Sequence, residues 1–303
     1  MSINHPIIDD TNAVVVDTRR GAPQEGFEIT DELKGQVAIV TGGGRGFGQA
    51  IAHRLAAGGA AVTVTSRTQG QLDATKASIE AAGGRAIAMM ADVNSQSDWD
   101  RVVKETESQL GPVTLLVANA ALSDPAGPLY DIDPDVWQRT LDTNVMGSVR
   151  GARAVLPGMV QRGAGRVIII SSGSALAATP YTSPYRVSKT ALLRLAEIMA
   201  LEVKDHGVSV FAIHPGVIDS TILDSAARTE EGHKWVPHFA KMVESGSVFT
   251  GTDPCAECCA FLASGAADAL TGRYISATED YAALASRGEE IAANELQVLR
   301  LTQ

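Results

Sequence analysis

Tyr185 and Lys189 stand four positions apart in the run Ser183-Pro-Tyr-Arg-Val-Ser-Lys189. At the start of a helix that spacing puts both on one face. A tyrosine with a pKa near 10 is a poor proton shuttle at neutral pH. An ammonium about 5 Å away favours the phenolate by roughly 3 kcal/mol at an effective dielectric near 20, or about two pK units. A tyrosine tuned in this way can give a proton to a substrate oxygen or take one from it. Ser172, thirteen residues earlier, follows the apolar run Arg166–Ile170. Its hydroxyl could hold the same oxygen at the edge of a sheet where ligands bind. Alone, a Tyr-x-x-x-Lys pair is more often a surface pair on a helix; the serine on a strand end makes it a candidate acid/base site.

A second feature lies upstream. Val37-Ala-Ile-Val-Thr41 runs into Gly42-Gly-Gly-Arg-Gly-Phe-Gly48, and a helical stretch, Gln49-Ala-Ile-Ala-His-Arg-Leu-Ala56, follows. Glycines permit the tight turn and remove side chains that would hold a pyrophosphate off the backbone. The helix then presents unpaired N–H groups and its positive dipole end to the phosphates. The spacing is Thr41-Gly42-x-x-x-Gly46-x-Gly48, one residue longer between the first two glycines than the G-x-G-x-x-G form. Phosphate-cradling chemistry followed by an acid/base tyrosine implies a nicotinamide oxidoreductase.

At the end of the second apolar run, Ala61–Thr65, Ser66 stands where an NAD site usually carries an acid for the ribose diol. Arg67 follows at once and Arg45 lies inside the glycine turn, so two guanidinium groups could flank a 2′-phosphate. The expected cofactor is NADP(H) in preference to NAD(H).

These groups need a frame to hold them. Apolar, β-rich runs recur at 37–41, 61–65, 85–90, 114–118, 166–170, 208–213 and 273–275, with helical stretches at 48–57, 71–82, 97–109, 135–160 and 185–204. Strands that are nearly all apolar are buried on both faces. Their alternation with helices predicts an α/β fold, a doubly wound parallel sheet of Rossmann type in three α/β/α layers. Residues 1–34 read as a polar N-terminal extension, either a loose tail or an arm on a neighbouring subunit. Residues 35–276 form the expected catalytic domain and 277–303 a C-terminal tail.

Bulk composition excludes several classes. Of the 303 residues, 45% are hydrophobic and 20% charged, enough to bury a sizeable core, and the net charge of -10 argues against nucleic acid. No apolar run approaches the roughly 20 residues of a membrane span. The first residues lack a signal peptide's basic start and apolar stretch. A soluble, cytoplasmic protein is expected. Cys255, Cys258 and Cys259 crowd into one helix start and are expected to be buried thiols.

Together the motifs resemble the short-chain dehydrogenase/reductase family in its single-domain form, over roughly residues 34–276. The resemblance implies that Thr41, Gly42, Gly46, Phe47 and Gly48 form the nucleotide turn and that Asp92-Val93 contacts adenine. Asn119-Ala120 matches part of the family's Asn-Asn-Ala-Gly motif, and Pro215-Gly216, with Ile218 beyond it, borders the nicotinamide. It gives Ser172, Tyr185 and Lys189 the roles of substrate-orienting serine, acid/base and ribose-binding lysine. Asn144 matches the catalytic asparagine, which supports a water in a proton relay; inside a helix asparagine is otherwise an unfavourable choice. The sequence departs from the family at Ala118 and Ala121, at His214 where asparagine is common, and after the last strand. Homotetramers or homodimers are implied by resemblance alone.

The residues from Gly216 to about Phe249, with His233, Trp235, His238, Phe239, Met242 and Phe249, are expected to lid a medium-sized, partly apolar substrate, with Pro180 and Tyr181 on the opposite wall. The expected reaction interconverts a carbonyl and a secondary alcohol. The alternatives are an NAD-dependent alcohol dehydrogenase of the same fold or a cofactor-binding protein without turnover.

Overall fold

A computed structural model of the protein describes residues 31–123 and 125–300. Residues 1–30 of the expected extension lie outside that range, as do the last three of the tail.

Seven strands form one parallel sheet in the order β3-β2-β1-β4-β5-β6-β7: β1 Val37–Thr41, β2 Ala61–Ser66, β3 Arg85–Met90, β4 Leu115–Ala118, β5 Gly165–Ile170, β6 Val208–His214 and β7 Tyr274–Ser276. The order reverses between β1 and β4, so a crevice opens beyond their carboxyl ends. Because every pairing is parallel, all seven carboxyl ends face one way.

The strands are apolar throughout because helices cover both faces. Ala38, Val40, Leu115, Val117, Ile168, Ile170, Phe211 and Ile213 face α1 (Gly46–Ala57), α2 (Gln69–Ala81) and, further along the chain, α10 (Asp253–Ser264). Their neighbours Ile39, Leu116, Ile169 and Val210 point the other way, onto α3 (Gln96–Leu110), α5 (Gly147–Arg162) and α6 (Ser183–Val203). The side-chain period of two along each strand divides the core into these halves.

The helical stretch expected over 135–160 is not one helix. It divides into α4 (Pro134–Leu141), a single π turn over Asp142–Met146, and α5. Asn144 sits in that π turn. Its amide makes bonds outside the helix, and the widened turn accommodates them.

The tail is folded onto the domain. Helices α11 (Tyr281–Ser286) and α12 (Gly288–Ala293) pack Tyr281 and Ile291 into the same core half as α10. Beyond them, Gln297 O accepts from Tyr274 N at 2.8 Å and Arg300 meets the buried Glu197 of α6 at 2.6 Å. Among the described residues no helix is long and apolar enough to cross a membrane.

Candidate active site

The expected nucleotide turn connects β1 to α1. Gly42 and Gly46 adopt left-handed φ of 65° and 55°. A Cβ on Gly48 would lie 2.3 Å from Gly42 O and 2.6 Å from Asn119 Nδ2, so no other residue fits. Arg45 caps α1 without a side-chain bond, and the first turn has no acidic residue. By contrast α3 is capped by Ser95 and α4 by Asp133. The uncapped N–H groups of α1 and the side-chain-free cradle fit a pyrophosphate.

Thr41 and Asn119 tie the crevice floor together. Thr41 Oγ1 accepts from Asn119 N at 2.9 Å and Ala120 N at 3.0 Å, and Asn119 Nδ2 donates to Thr41 O at 2.8 Å. Asn119 therefore holds the ends of β1 and β4 in register, and its amide N–H is spent on the backbone. Phe47 is half-buried against the α1 side of the core.

Ser66 ends β2, and its Oγ accepts from Thr68 N at 3.2 Å. Arg45 and Arg67 are exposed, and among the described residues neither guanidinium has an ion-pair or hydrogen-bond partner. Past β3, Asp92 Oδ1 accepts from Asn94 N at 2.9 Å, and Val93 packs tightly against Gly147 at the start of α5. Beyond β6, Gly216 has φ 89°, and Ile218 Cδ1 lies 3.2 Å from where a Gly46 Cβ would be. The two flanks of the crevice thus approach each other at Ile218 and Gly46.

The proton-transfer groups converge beside this crevice. Tyr185 lies in the first turn of α6, close to the side chain of Ser172 just beyond β5, whose Oγ accepts from Ser174 N at 3.1 Å. Lys189 Nζ, buried one helical turn on, stands 5.6 Å from the centroid of the Tyr185 ring and donates to Ile170 O at 2.8 Å. Burial raises the Tyr185 pKa, with smaller lowering effects from the nearby Ser172 hydroxyl and the Arg186 charge. Burial also lowers Lys189 to about 7. The phenolate stabilisation expected from the tyrosine–lysine spacing is therefore outweighed by desolvation, which acts on both groups.

The Asn144 side chain is hydrogen-bonded to Leu122 and Ser188 and not to Lys189. Its Oδ1 accepts from Leu122 N at 2.8 Å, and its Nδ2 donates to Leu122 O at 2.9 Å and to Ser188 Oγ at 2.8 Å. Ser188 in turn donates to Tyr185 O at 2.7 Å. A serine inside a helix was the available signal for this link, since its hydroxyl must find a partner.

Arg186 was also not singled out by sequence. It donates to Ser174 O at 3.1 Å, Ala177 O at 2.7 Å and Thr182 Oγ1 at 3.0 Å, clamping the loop between Ser172 and Tyr185. A cation in the first turn of a helix opposes the dipole, and that misplacement was the clue.

Three short helices, α7 (Thr221–Ala227), α8 (Glu230–Trp235) and α9 (Pro237–Glu244), occupy the expected lid. Phe239 and Phe249 pack into the lid's own small core with Leu223 and Val243. Trp235 reaches Tyr181, ring centroids 4.9 Å apart, and His233 lies 3.4 Å from Glu244. Tyr181, at φ 70°, accepts from Gly127 N at 2.8 Å. Cys255, Cys258 and Cys259 are fully buried in α10, as expected, and burial pushes the Cys258 and Cys259 thiols up.

Sheet order, glycine turn and the serine–tyrosine–lysine cluster define a dinucleotide-type oxidoreductase site. A model of the short chain dehydrogenase family matches residues 36–231. The chain belongs to the short-chain dehydrogenase/reductase family and is an oxidoreductase. It is 35% identical over 253 residues to dehydrogenase/reductase SDR family member 4 of Homo sapiens, covering 82% of this chain and 88% of that protein. A short chain dehydrogenase of Pseudocercospora fijiensis is 33% identical over 264 residues, 86% of this chain and 85% of the other. The crystal structure of a short-chain alcohol dehydrogenase from Sinorhizobium meliloti 1021 superposes with a TM-score of 0.72 at 32% identity, over 82% of this chain and 96% of that one.

Proposed function

We propose that the protein is an NADP(H)-dependent oxidoreductase that interconverts a carbonyl and a secondary alcohol, with Tyr185 as acid/base. The observation that carries this reading is the convergence of Ser172 and Lys189 on Tyr185, with the buried Lys189 Nζ 5.6 Å from the centroid of the tyrosine ring.

In the reducing direction a nicotinamide bound in this crevice would supply the hydride for the carbonyl carbon. The carbonyl oxygen, held by the Ser172 and Tyr185 hydroxyls, gains negative charge as the carbon is reduced. Tyr185 then gives it a proton and the product is the alcohol. The raised pKa of Tyr185 keeps the hydroxyl protonated until that charge develops. Lys189, beside the Tyr185 ring, would stabilise the resulting phenolate and would hold the nicotinamide ribose. Asn144 supports the end of the proton path through Ser188 and the Leu122 backbone.

The preference for NADP(H) rests on the end of β2, where Ser66 stands in place of an acid and Arg45 and Arg67 are unpaired among the described residues. The adenine side would use Asp92 and Val93, the phosphates Gly42, Gly46, Phe47 and Gly48, and the nicotinamide side Asn119, Pro215, Gly216 and Ile218. The substrate is a small molecule admitted beneath the Trp235–Tyr181 pair. Homotetramers or homodimers fit Val187, Ile198 and Leu201, exposed along α6. A cytoplasmic location suits three unpaired thiols.

The test is NADPH oxidation followed by absorbance against a panel of ketones, aldehydes and quinones. Turnover is expected in the wild type and lost in Tyr185→Phe, with NADPH affinity nearly unchanged. Retained turnover in that variant ends the mechanism; tighter binding of NAD than NADP in a calorimetric titration ends the cofactor assignment.

A further inference from the structure

Ser172 can orient a substrate oxygen only if the turn that carries it is fixed. The last backbone rung between β5 and β6 is Ser171 N donating to Ile213 O at 2.8 Å. Beyond it β6 ends at His214, and Pro215 has no N–H to continue the ladder. The chain after Ser172 enters a single 3₁₀ turn, Gly173–Ala175, and Gly173 N would be left without a strand partner. The imidazole of His214 fills that role: Nδ1 accepts from Gly173 N at 3.0 Å.

The ring also packs against the turn. A Cβ on Gly173 would lie 3.4 Å from His214 Nε2 and 3.5 Å from Cε1, so the glycine backbone rests directly on the imidazole. An Nδ1 that accepts must carry its lone pair, which puts the proton of a neutral ring on Nε2. Burial lowers the His214 pKa to about 4 and so keeps the ring neutral across the working range. On the far side of the same turn, Arg186 donates to Ser174 O at 3.1 Å. The Ser172 turn is thus held at the N–H end by the end of β6 and at the carbonyl end by α6.

We propose that His214 is a positioning residue for Ser172, fixing through the Gly173 N–H the turn that presents the serine hydroxyl to Tyr185 and to the substrate oxygen. The proposal rests on the reaction assigned above. It makes the end of β6, next to the expected nicotinamide contact at Pro215-Gly216, a determinant of substrate orientation as well.

The chemistry distinguishes substitutions of similar size. His214→Asn can place Oδ1 where Nδ1 stands and keep the acceptor; His214→Leu fills the space but leaves Gly173 N unpaired. With a carbonyl that is active in the NADPH assay, His214→Leu is expected to lower kcat about tenfold with the KM for NADPH unchanged, while His214→Asn stays within about twofold. In a Ser172→Ala background, adding His214→Leu should change kcat by less than about twofold, because a residue acting through Ser172 has nothing left to position.

Multiplicative losses in the double variant, or a His214→Leu enzyme as active as wild type, overturn the proposal while Ser172→Ala and Tyr185→Phe losses keep the reaction standing. If Ser172→Ala turns over normally, both fall. Should His214→Leu fail to fold, nitrogen-15 NMR of the wild type still decides the matter. A neutral ring protonated at Nε2 and bare at Nδ1 supports it; the reverse tautomer overturns it.

Discussion

Asn144 Nδ2 and Ser188 Oγ lie 2.8 Å apart, joining the π turn after α4 to the helix that carries Tyr185. Asn144 and Ser188 are 1% and 0% exposed, so neither can exchange this bond for water. Both Leu122 backbone groups are satisfied by the same asparagine. Asn144→Asp keeps the shape but turns a donor into an acceptor facing Leu122 O and Ser188. A loss of about 2 kcal/mol in urea unfolding is expected, because a buried charge would face an unpaired carbonyl. Wild-type stability in that variant would mean that the loop at Leu122 finds another anchor.

The glycine turn predicts a difference between two nearby glycines. Gly48→Ala places a methyl 2.3 Å from Gly42 O and 2.6 Å from Asn119 Nδ2, both fixed by the sheet. The turn must open, and NADPH affinity is expected to fall by about tenfold or more, with a stability loss of about 1–3 kcal/mol. Gly70, in α2, has nothing within 4 Å of its added Cβ. Gly70→Ala should therefore stabilise the protein by about 0.5–1 kcal/mol and leave NADPH affinity intact. Fluorescence titration with NADPH and thermal unfolding on both variants check the pair.

Much of this was legible before any coordinates. The apolar runs located all seven strands to within a residue, because parallel strands buried on both faces leave little choice of composition. The spacing of Ser172, Tyr185 and Lys189 identified a cluster that the β5–α6 geometry brings together. What could not be read were bonds between positions far apart in the chain. Gly173 to His214 spans 41 residues and Asn144 to Ser188 spans 44. The break in the 135–160 helix was hidden for the same reason, since the asparagine in the break bonds to Leu122, 22 residues away. Desolvation of Tyr185 and Lys189 was equally invisible: spacing gives the distance between two groups but not the medium around them.

Cofactor choice tests the end of β2. Ser66→Asp would restore the carboxylate that accepts from a ribose diol and would repel a 2′-phosphate. Combined with Arg67→Ala, it is expected to shift the ratio of kcat/KM for NADPH over NADH toward NADH by about tenfold or more, a change of about 1.4 kcal/mol or greater. Steady-state kinetics with both cofactors gives the ratio. If it does not move, Arg45 or another group carries the discrimination and the two β2 residues do not.

Acid stability reads the state of the His214 ring. Burial draws its pKa from 6.5 in the unfolded chain to about 4. Between those values the unfolded chain binds a proton on this ring that the folded protein does not, so stability rises with pH through the window. The contribution is fully present above 6.5 and is lost as pH falls to about 4. His214→Asn has no proton to take up there and lacks this slope. Relative to that variant, the wild type is expected to lose on the order of 2 to 3 kcal/mol across the window. Urea unfolding of both proteins at several pH values supplies the comparison, and carboxylates elsewhere cancel because both chains carry them. Parallel stability curves would mean that the ring charges as readily in the folded protein as in the unfolded chain. It could not then be the buried acceptor that holds Gly173.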